Sequence, residues 1–129
     1  VYWVVELIRS QESMLYIPQP MPGMQYPSDN PEGFRSPEEY NLEYEDVSFE
    51  SADGLRLHAW FIHADEDASQ APTILFCHEN AGNIGLRLNN FVLMAEKLKV
   101  NIFAFDYRGY GNSEGFPSEE GLIDDAMAA

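Results

Sequence analysis

The chain has a single cysteine, Cys77, so no intrachain disulfide can form, a pattern that fits a reducing compartment. Cations are scarce as well: 7 Lys and Arg stand against 22 Asp and Glu, a net charge of −15. Phosphate backbones are bound through clustered cations, so no nucleic-acid partner is expected. Anionic membrane surfaces are disfavoured for the same reason. No uncharged apolar run reaches the roughly 18 residues that a membrane span requires. The apolar stretch Val1 to Val5 stops at Glu6 and reads as a short strand, a helix or the tail of a hydrophobic segment upstream. No signal peptide is recognisable. Position 1 is not Met, and residues 124–129 are helix formers without a Gly, Asn or Pro stop, so a piece cut at both ends is expected. What is present is ordinary for a folded domain: 45% apolar and 22% charged residues, in a length that suits about one domain or part of one.

Two parts are expected, an N-terminal segment over 1–43 and a folded part over 44–129. Pattern leaves residues 1 to 17 undetermined. Residues 18–37 then hold Pro18, Pro20, Pro22, Pro27, Pro31 and Pro37. Proline removes an amide donor and fixes φ, so this stretch is neither a helix nor a central strand. It reads as an extended arm, packed through Tyr16, Met21, Met24, Tyr26 and Phe34.

From Tyr44 the pattern changes. Val47 and Phe49 alternate with polar residues, as in a half-buried strand. Asp53-Gly54 signals a hairpin. Leu55, Leu57, Ala59 and Phe61 then share one face of a second strand, antiparallel to the first, with Arg56 and His58 on the other. A polar loop over residues 64 to 71 follows. Thr73 to Cys77 and Ile102 to Phe105 are continuous apolar runs, which suit strands of a parallel sheet buried on both faces. Between them Ile84, Leu88, Phe91, Val92, Ala95 and Leu98 make one helical stripe. Strand, helix and strand form a βαβ crossover. Ser118 caps a further helix with Glu119 and Glu120 in its first turn and an apolar face starting at Leu122, Ile123 and Ala126. The fold class is α/β.

Two segments follow the buried strands: His78-Glu79-Asn80-Ala81-Gly82-Asn83 and Asp106-Tyr107-Arg108-Gly109-Tyr110-Gly111-Asn112-Ser113-Glu114-Gly115. Both lie at carboxyl ends of strands, the edge where open α/β sheets bind ligands. Taken alone, the first also fits a polar turn capped by Asn.

Together the two segments resemble the α/β-hydrolase superfamily, in which a His-Gly pair follows the third strand and an Asp-x-Arg-Gly-x-Gly-x-Ser loop follows the fourth. More narrowly the chain resembles the Bem-type, membrane-anchored serine hydrolase branch that includes the plant wavy-growth hydrolase. The resemblance implies the N-terminal half of that fold: an antiparallel hairpin followed by a parallel βαβ, in an incomplete sheet ordered first, second, fourth, third. It implies that the Asn80 backbone N–H is one arm of an oxyanion hole. His78, Glu79, Gly82, Asn83, Asp106, Arg108 and Gly109 would support the site loops, with Asp106 and Arg108 bracing by hydrogen bonds. Glu79 departs from the Gly that most of the superfamily carries. The Ser-Asp-His triad would lie beyond Ala129, so no catalytic group is assigned within this chain, and it would be inactive alone. The substrate would be a small molecule or an acylated protein, cleaved at an ester, thioester or amide. No cofactor is implied. A membrane anchor upstream of residue 1, and with it membrane association, is implied by the resemblance alone.

Two sets of residues imitate a site. Gly111-Asn112-Ser113-Glu114-Gly115 matches G-x-S-x-G, but that pattern needs a sharp strand-to-helix turn, and here Gly115-Phe116-Pro117 delays the helix to Ser118. Ser113 is therefore expected to be a hydrogen-bonding loop residue. His58, His63, Cys77, His78 and Glu79 look like metal ligands. Yet His58 and His63 are five apart on one strand and point to opposite faces, so no metal site is expected, and Cys77 reads as a buried core thiol. Two other readings stay open. One is a nucleotide-binding module with Asp106 on a ribose; the other is a non-catalytic, truncated interaction protein.

Overall fold

In the computed structural model, residues 2–64 and 67–129 are described, apart from the side chains of residues 8 and 9. Residues 65 and 66 of the expected polar loop, and Val1, lie outside that description. The alternating segment from Tyr44 forms β1 (Tyr44–Glu50), which turns at Asp53-Gly54 into β2 (Arg56–Ile62). These strands pair antiparallel, with Val47 opposite Ala59 and Phe49 opposite Leu57. The two apolar runs form β3 (Thr73–Cys77) and β4 (Asn101–Asp106), which pair in parallel. β2 also pairs antiparallel with β4, placing His58 opposite Asp106. The sheet order is β1-β2-β4-β3, the expected first, second, fourth, third.

Burial departs from the strand readings at two places. β2 is apolar on both faces: Leu57 and Ala59 bury on one, Trp60 and Ile62 on the other. The cause is position. β2 lies in the middle of the sheet, where side chains pack over both faces. On the Trp60 face sits a core of Ile84, Leu88, Phe91, Ala95, Val100, Ile102 and Ala104. On the other face the Phe49 ring packs against Phe103 and Phe105. β3, in contrast, is an edge strand and is not buried on both faces. Ile74 and Phe76 pack on the core, whereas Leu75 and Cys77 are exposed. The expectation of a buried core thiol at Cys77 is thus corrected: odd-numbered positions of β3 face the uncovered side.

The helical stripe between β3 and β4 is also broken up. Ile84–Arg87 is a 3-10 turn, α2 spans Leu88–Leu93, and Met94–Leu98 is a π turn. Ile84, Leu88, Phe91 and Ala95 are fully buried as the spacing requires. Leu98 is exposed, because the wider i→i+5 winding turns it off the stripe, and Met94 packs on the core instead. Near the N-terminus, α1 (Tyr2–Leu15) exposes Tyr2, Trp3, Leu7 and Met14. No described helix is long and apolar enough to cross a membrane. At the other end, α3 (Glu119–Ala128) begins where Ser118 Oγ accepts from Gly121 N at 3.1 Å. Its fully covered residues are Gly121 and Asp125, while Ile123 of the expected apolar face is exposed.

β3 leaves one edge of backbone donors and acceptors unpaired among the described residues, beside the exposed Leu75. Such an edge invites strand addition. The chain is therefore expected to self-associate in sedimentation experiments, and Leu75→Lys to shift it toward monomer. Association should also slow native-state maleimide labelling of Cys77. A monomeric wild-type chain that melts cooperatively would contradict this.

Candidate active-site rim

β3 and β4 run side by side, so the turns that follow them emerge at the same rim. They are joined by direct bonds. Tyr110 Oη donates to Asn80 O at 2.8 Å, and Ile84 N donates to Asp106 Oδ1 at 2.8 Å. Asp106 is fully buried at the end of β4. Its main-chain oxygen accepts from Ser113 Oγ, which in turn accepts from His58 N at 2.9 Å. Ser113 thus closes the loop onto the sheet, as a hydrogen-bonding residue does. His63 bonds Glu45 at 3.0 Å, whereas His58 bonds Asp46 at 2.8 Å, so the two imidazoles serve different partners.

The Asp106 carboxylate is flanked by two imidazoles. His78 Nε2 lies 3.6 Å from Oδ1 and His58 Nδ1 lies 3.9 Å from Oδ2, both too long for hydrogen bonds. These two ring nitrogens and Asp106 Oδ2 are buried without hydrogen-bond partners. The rings titrate in opposite directions. For His58, burial favours the neutral form, but the Asp106 and Asp46 carboxylates outweigh it and the pKa rises. For His78, burial dominates over the Asp106 charge and the pKa falls. His78 Nδ1 donates to Glu79 O at 2.7 Å, and its ring packs edge-on against Tyr107 and Tyr110. Burial pushes the Tyr110 phenol up to about 12, so it stays a donor to Asn80 O.

Arg108 turns away from Asp106. Its guanidinium makes two forks, to Asp125 of α3 (Nη2–Oδ1 2.8 Å, Nε–Oδ1 3.0 Å) and to Asp53 of the β1–β2 turn (Nη1–Oδ2 2.9 Å, Nη2–Oδ1 3.0 Å). Arg108 N donates to Asp125 Oδ2 as well. The bracing expected of Asp106 and Arg108 therefore exists, but each braces a different partner. α3 comes close enough because residue 121 is Gly: a Cβ there would stand 2.5 Å from Arg108 Cδ. Gly109 N donates to Glu114 O at 2.9 Å, and Gly109 O accepts from Gln25 of the arm at 3.2 Å.

The Asn80 loop is also gripped by the residues that lead from α1 into the N-terminal arm. Ile17 N donates to Asn80 O and Gly82 N donates to Ile17 O, at 2.8 and 2.9 Å, so Ile17 and Ala81 form a parallel bridge. Asn80 Nδ2 donates to Leu15 O at 2.6 Å. Gly82 adopts φ +73, the left-handed turn that carries the loop into the 3-10 segment. Glu79 is ion-paired to Arg87 Nε at 2.6 Å, which keeps its carboxylate occupied outside the turn. Asn83 is fully buried, caps Gly85 N at 3.0 Å, and exchanges amide bonds with Asn30 of the arm at 2.8 and 3.2 Å. The arm is therefore docked mainly by polar bonds; Tyr16, Met24 and Phe34 are half-buried, but Met21 and Tyr26 are exposed. No described residue accepts a hydrogen bond from the Asn80 amide N–H.

Relatives share this sequence and fold. The alpha/beta hydrolase domain-containing protein WAV2 of Arabidopsis thaliana is 48% identical over 128 residues, covering 98% of this chain and 39% of WAV2. Protein bem46 of Schizosaccharomyces pombe is 40% identical over 108 residues, covering 81% of this chain and 36% of bem46. The esterase Pf2001 of Pyrococcus furiosus superposes with a TM-score of 0.60 at 25% identity, covering 72% of this chain and 34% of the esterase. No protein-family model matches. The chain belongs to the α/β-hydrolase superfamily. It spans about two fifths of the length of these curated relatives and has the architecture of the N-terminal half of the α/β-hydrolase fold.

Within that α/β-hydrolase half, the residues that the sequence patterns did not assign to the site are Asn30, Asp125, the Leu15–Ile17 backbone and Asp53, which was read only as a turn residue. Asp125 carried a faint signal, since it lies four residues after Gly121 and so shares its helical face. The backbone donors of the arm carried none.

Two predictions follow from the charges. Asp125→Ala leaves Arg108 buried and half-paired, and should destabilise the chain by about 3–5 kcal/mol in urea unfolding, with Asp53→Ala costing less. The histidines set a stability maximum. The raised His58 pKa adds stability that is full below pH 6.5 and fades as pH rises through the folded value. The lowered His78 pKa adds stability present above pH 6.5 that is lost as pH falls through its folded value. Stability measured from pH 5 to 9 should lose its alkaline decline in His58→Gln and its acid decline in His78→Gln.

Proposed function

We propose that this chain is the N-terminal portion of a serine hydrolase that cleaves an ester, thioester or amide, and that it contributes the Asn80 N–H to the oxyanion hole. The observation that carries this reading is the free Asn80 amide on a loop held firmly beside the Asp106–Gly115 turn, at the carboxyl rim of the sheet. A tetrahedral intermediate places a negative oxygen where such an N–H can reach it, and losing one donor of this kind typically costs about 3 kcal/mol of barrier. The structural relative Pf2001 of Pyrococcus furiosus is an esterase, which supports the chemistry. The second amide, the serine nucleophile, its histidine base and the orienting carboxylate belong to polypeptide beyond Ala129. The substrate is a small molecule or an acylated protein. A nucleotide-binding role is poorly served: Asp106 is sealed in and already bonded to Ile84 N, so no ribose can reach it.

Treating the full-length protein with a fluorophosphonate probe should label one serine outside residues 1–129, and Ser113→Ala should leave the labelling intact. An adduct on Ser113, or no serine adduct at all, would overturn the proposal.

A further inference from the structure

The loop that carries Asn80 cannot fix its own geometry. It leaves an edge strand, turns through a left-handed glycine, and among its backbone hydrogen bonds only those to outside partners hold residues 80 to 82. An oxyanion donor must be held to within about 0.5 Å to act, so something else must hold it. Four bonds do so. One comes from Tyr110 Oη, in the neighbouring turn. The other three come from Leu15 and Ile17: Asn80 Nδ2 to Leu15 O, Ile17 N to Asn80 O, and Gly82 N to Ile17 O. The bridge is itself stiff. Tyr16 N bonds Glu12 O, so helical bonding from α1 runs to the residue before it. Pro18 follows it, and a residue before proline is biased to the extended backbone that a bridge needs.

We infer that the segment Leu15–Ile17 is a positioning element of the hydrolytic site: together with Tyr110 it holds the Asn80–Ala81 peptide by its carbonyl oxygen, it holds the Asn80 side chain through Leu15 O, and by fixing both groups on the Asn80 Cα it sets the direction of the Asn80 N–H. The inference rests on the oxyanion role proposed above. The clamp acts through main-chain atoms more than 60 residues away in sequence, on one carbonyl that accepts from Ile17 N and Tyr110 Oη together. The segment touches no reacting atom. Its effect is on the transition state, where the oxyanion forms, and not on substrate affinity.

The test uses the full-length protein and an activated ester, p-nitrophenyl butyrate. Ile17→Pro deletes the N–H donor while keeping extended backbone; Ile17→Val keeps the donor. Asn80→Ala cuts the link to Leu15 and leaves the Asn80 N–H in place, and it serves should the proline variant fold poorly. Both Ile17→Pro and Asn80→Ala should lower kcat about tenfold to a hundredfold with KM little changed, since misplacement by about 1 Å costs that order. Ile17→Val should match wild type. Affinity for a boronic acid, which mimics the tetrahedral adduct, should fall in step with kcat, while affinity for the product acid stays level. The melting midpoint should move little, because Leu15 and Ile17 are exposed and outside the core. Wild-type hydrolysis with unaltered kcat and boronate affinity in both variants overturns the clamp and leaves the hydrolase reading standing. A wild-type protein that neither hydrolyses esters nor reacts with fluorophosphonate overturns the hydrolase reading itself.

Discussion

A buried carboxylate at the end of β4 ties the candidate site together. Asp106 Oδ1 takes the amide of Ile84, which anchors the turn after β3 to the strand beside it. Its main-chain oxygen takes Ser113 Oγ, which closes the following loop. The two imidazoles on either side supply compensating dipoles or charge in a place where an uncompensated carboxylate would be expensive. Remove this carboxylate and the turn after β3 loses its anchor on β4, while the Ser113 bond to the main-chain oxygen and the Tyr110 bond to Asn80 O remain.

The second constraint is charge. A chain with a net charge of −15 has few cations to place, and Arg108 is placed where it organises most. It links three elements that are distant in sequence: the β1–β2 turn through Asp53, the β4 exit through its own backbone, and α3 through Asp125. The guanidinium can do this because its five donors form two forks in one plane. The hydrogen bonds that Arg108 donates to Asp125 raise its pKa further, so the cation is permanent. Arg87 does a smaller version of the same task, holding Glu79 away from the mouth of the loop.

Much of the sheet was legible in the residues. The alternation at Val47 and Phe49, the Asp-Gly turn, the two unbroken apolar runs and the serine cap at Ser118 each correspond to a local physical preference. Readings failed where burial depended on neighbours. Alternation puts Trp60 and Ile62 on the face read as polar from Arg56 and His58, and they are buried because the Ile84–Ala95 residues pack over it. Leu75 and Cys77 looked buried because apolar runs usually are, but only the Ile74 and Phe76 face of β3 is packed on the core. Leu98 fitted the helical stripe by spacing, and a π turn moved it. At the rim, the motif residues from His78 to Asn83 and from Asp106 to Gly115 could be named in advance. Their partners could not, since Asp125, Asn30 and the Ile17 backbone act through hydrogen bonds that leave no periodic trace.

From Tyr44 onward the sequence by itself determined which segments become strands and helices, where the chain turns, and which two loops carry unusual chemistry, because these follow from backbone preference and local spacing. Only the tertiary structure decided that those loops meet, that Arg108 pairs with Asp53 and Asp125 and not with Asp106, and that Leu15–Ile17, just ahead of the proline-rich arm, grip Asn80. Each of those outcomes requires bringing groups together across tens of residues, and that closeness is a property of the packed chain as a whole.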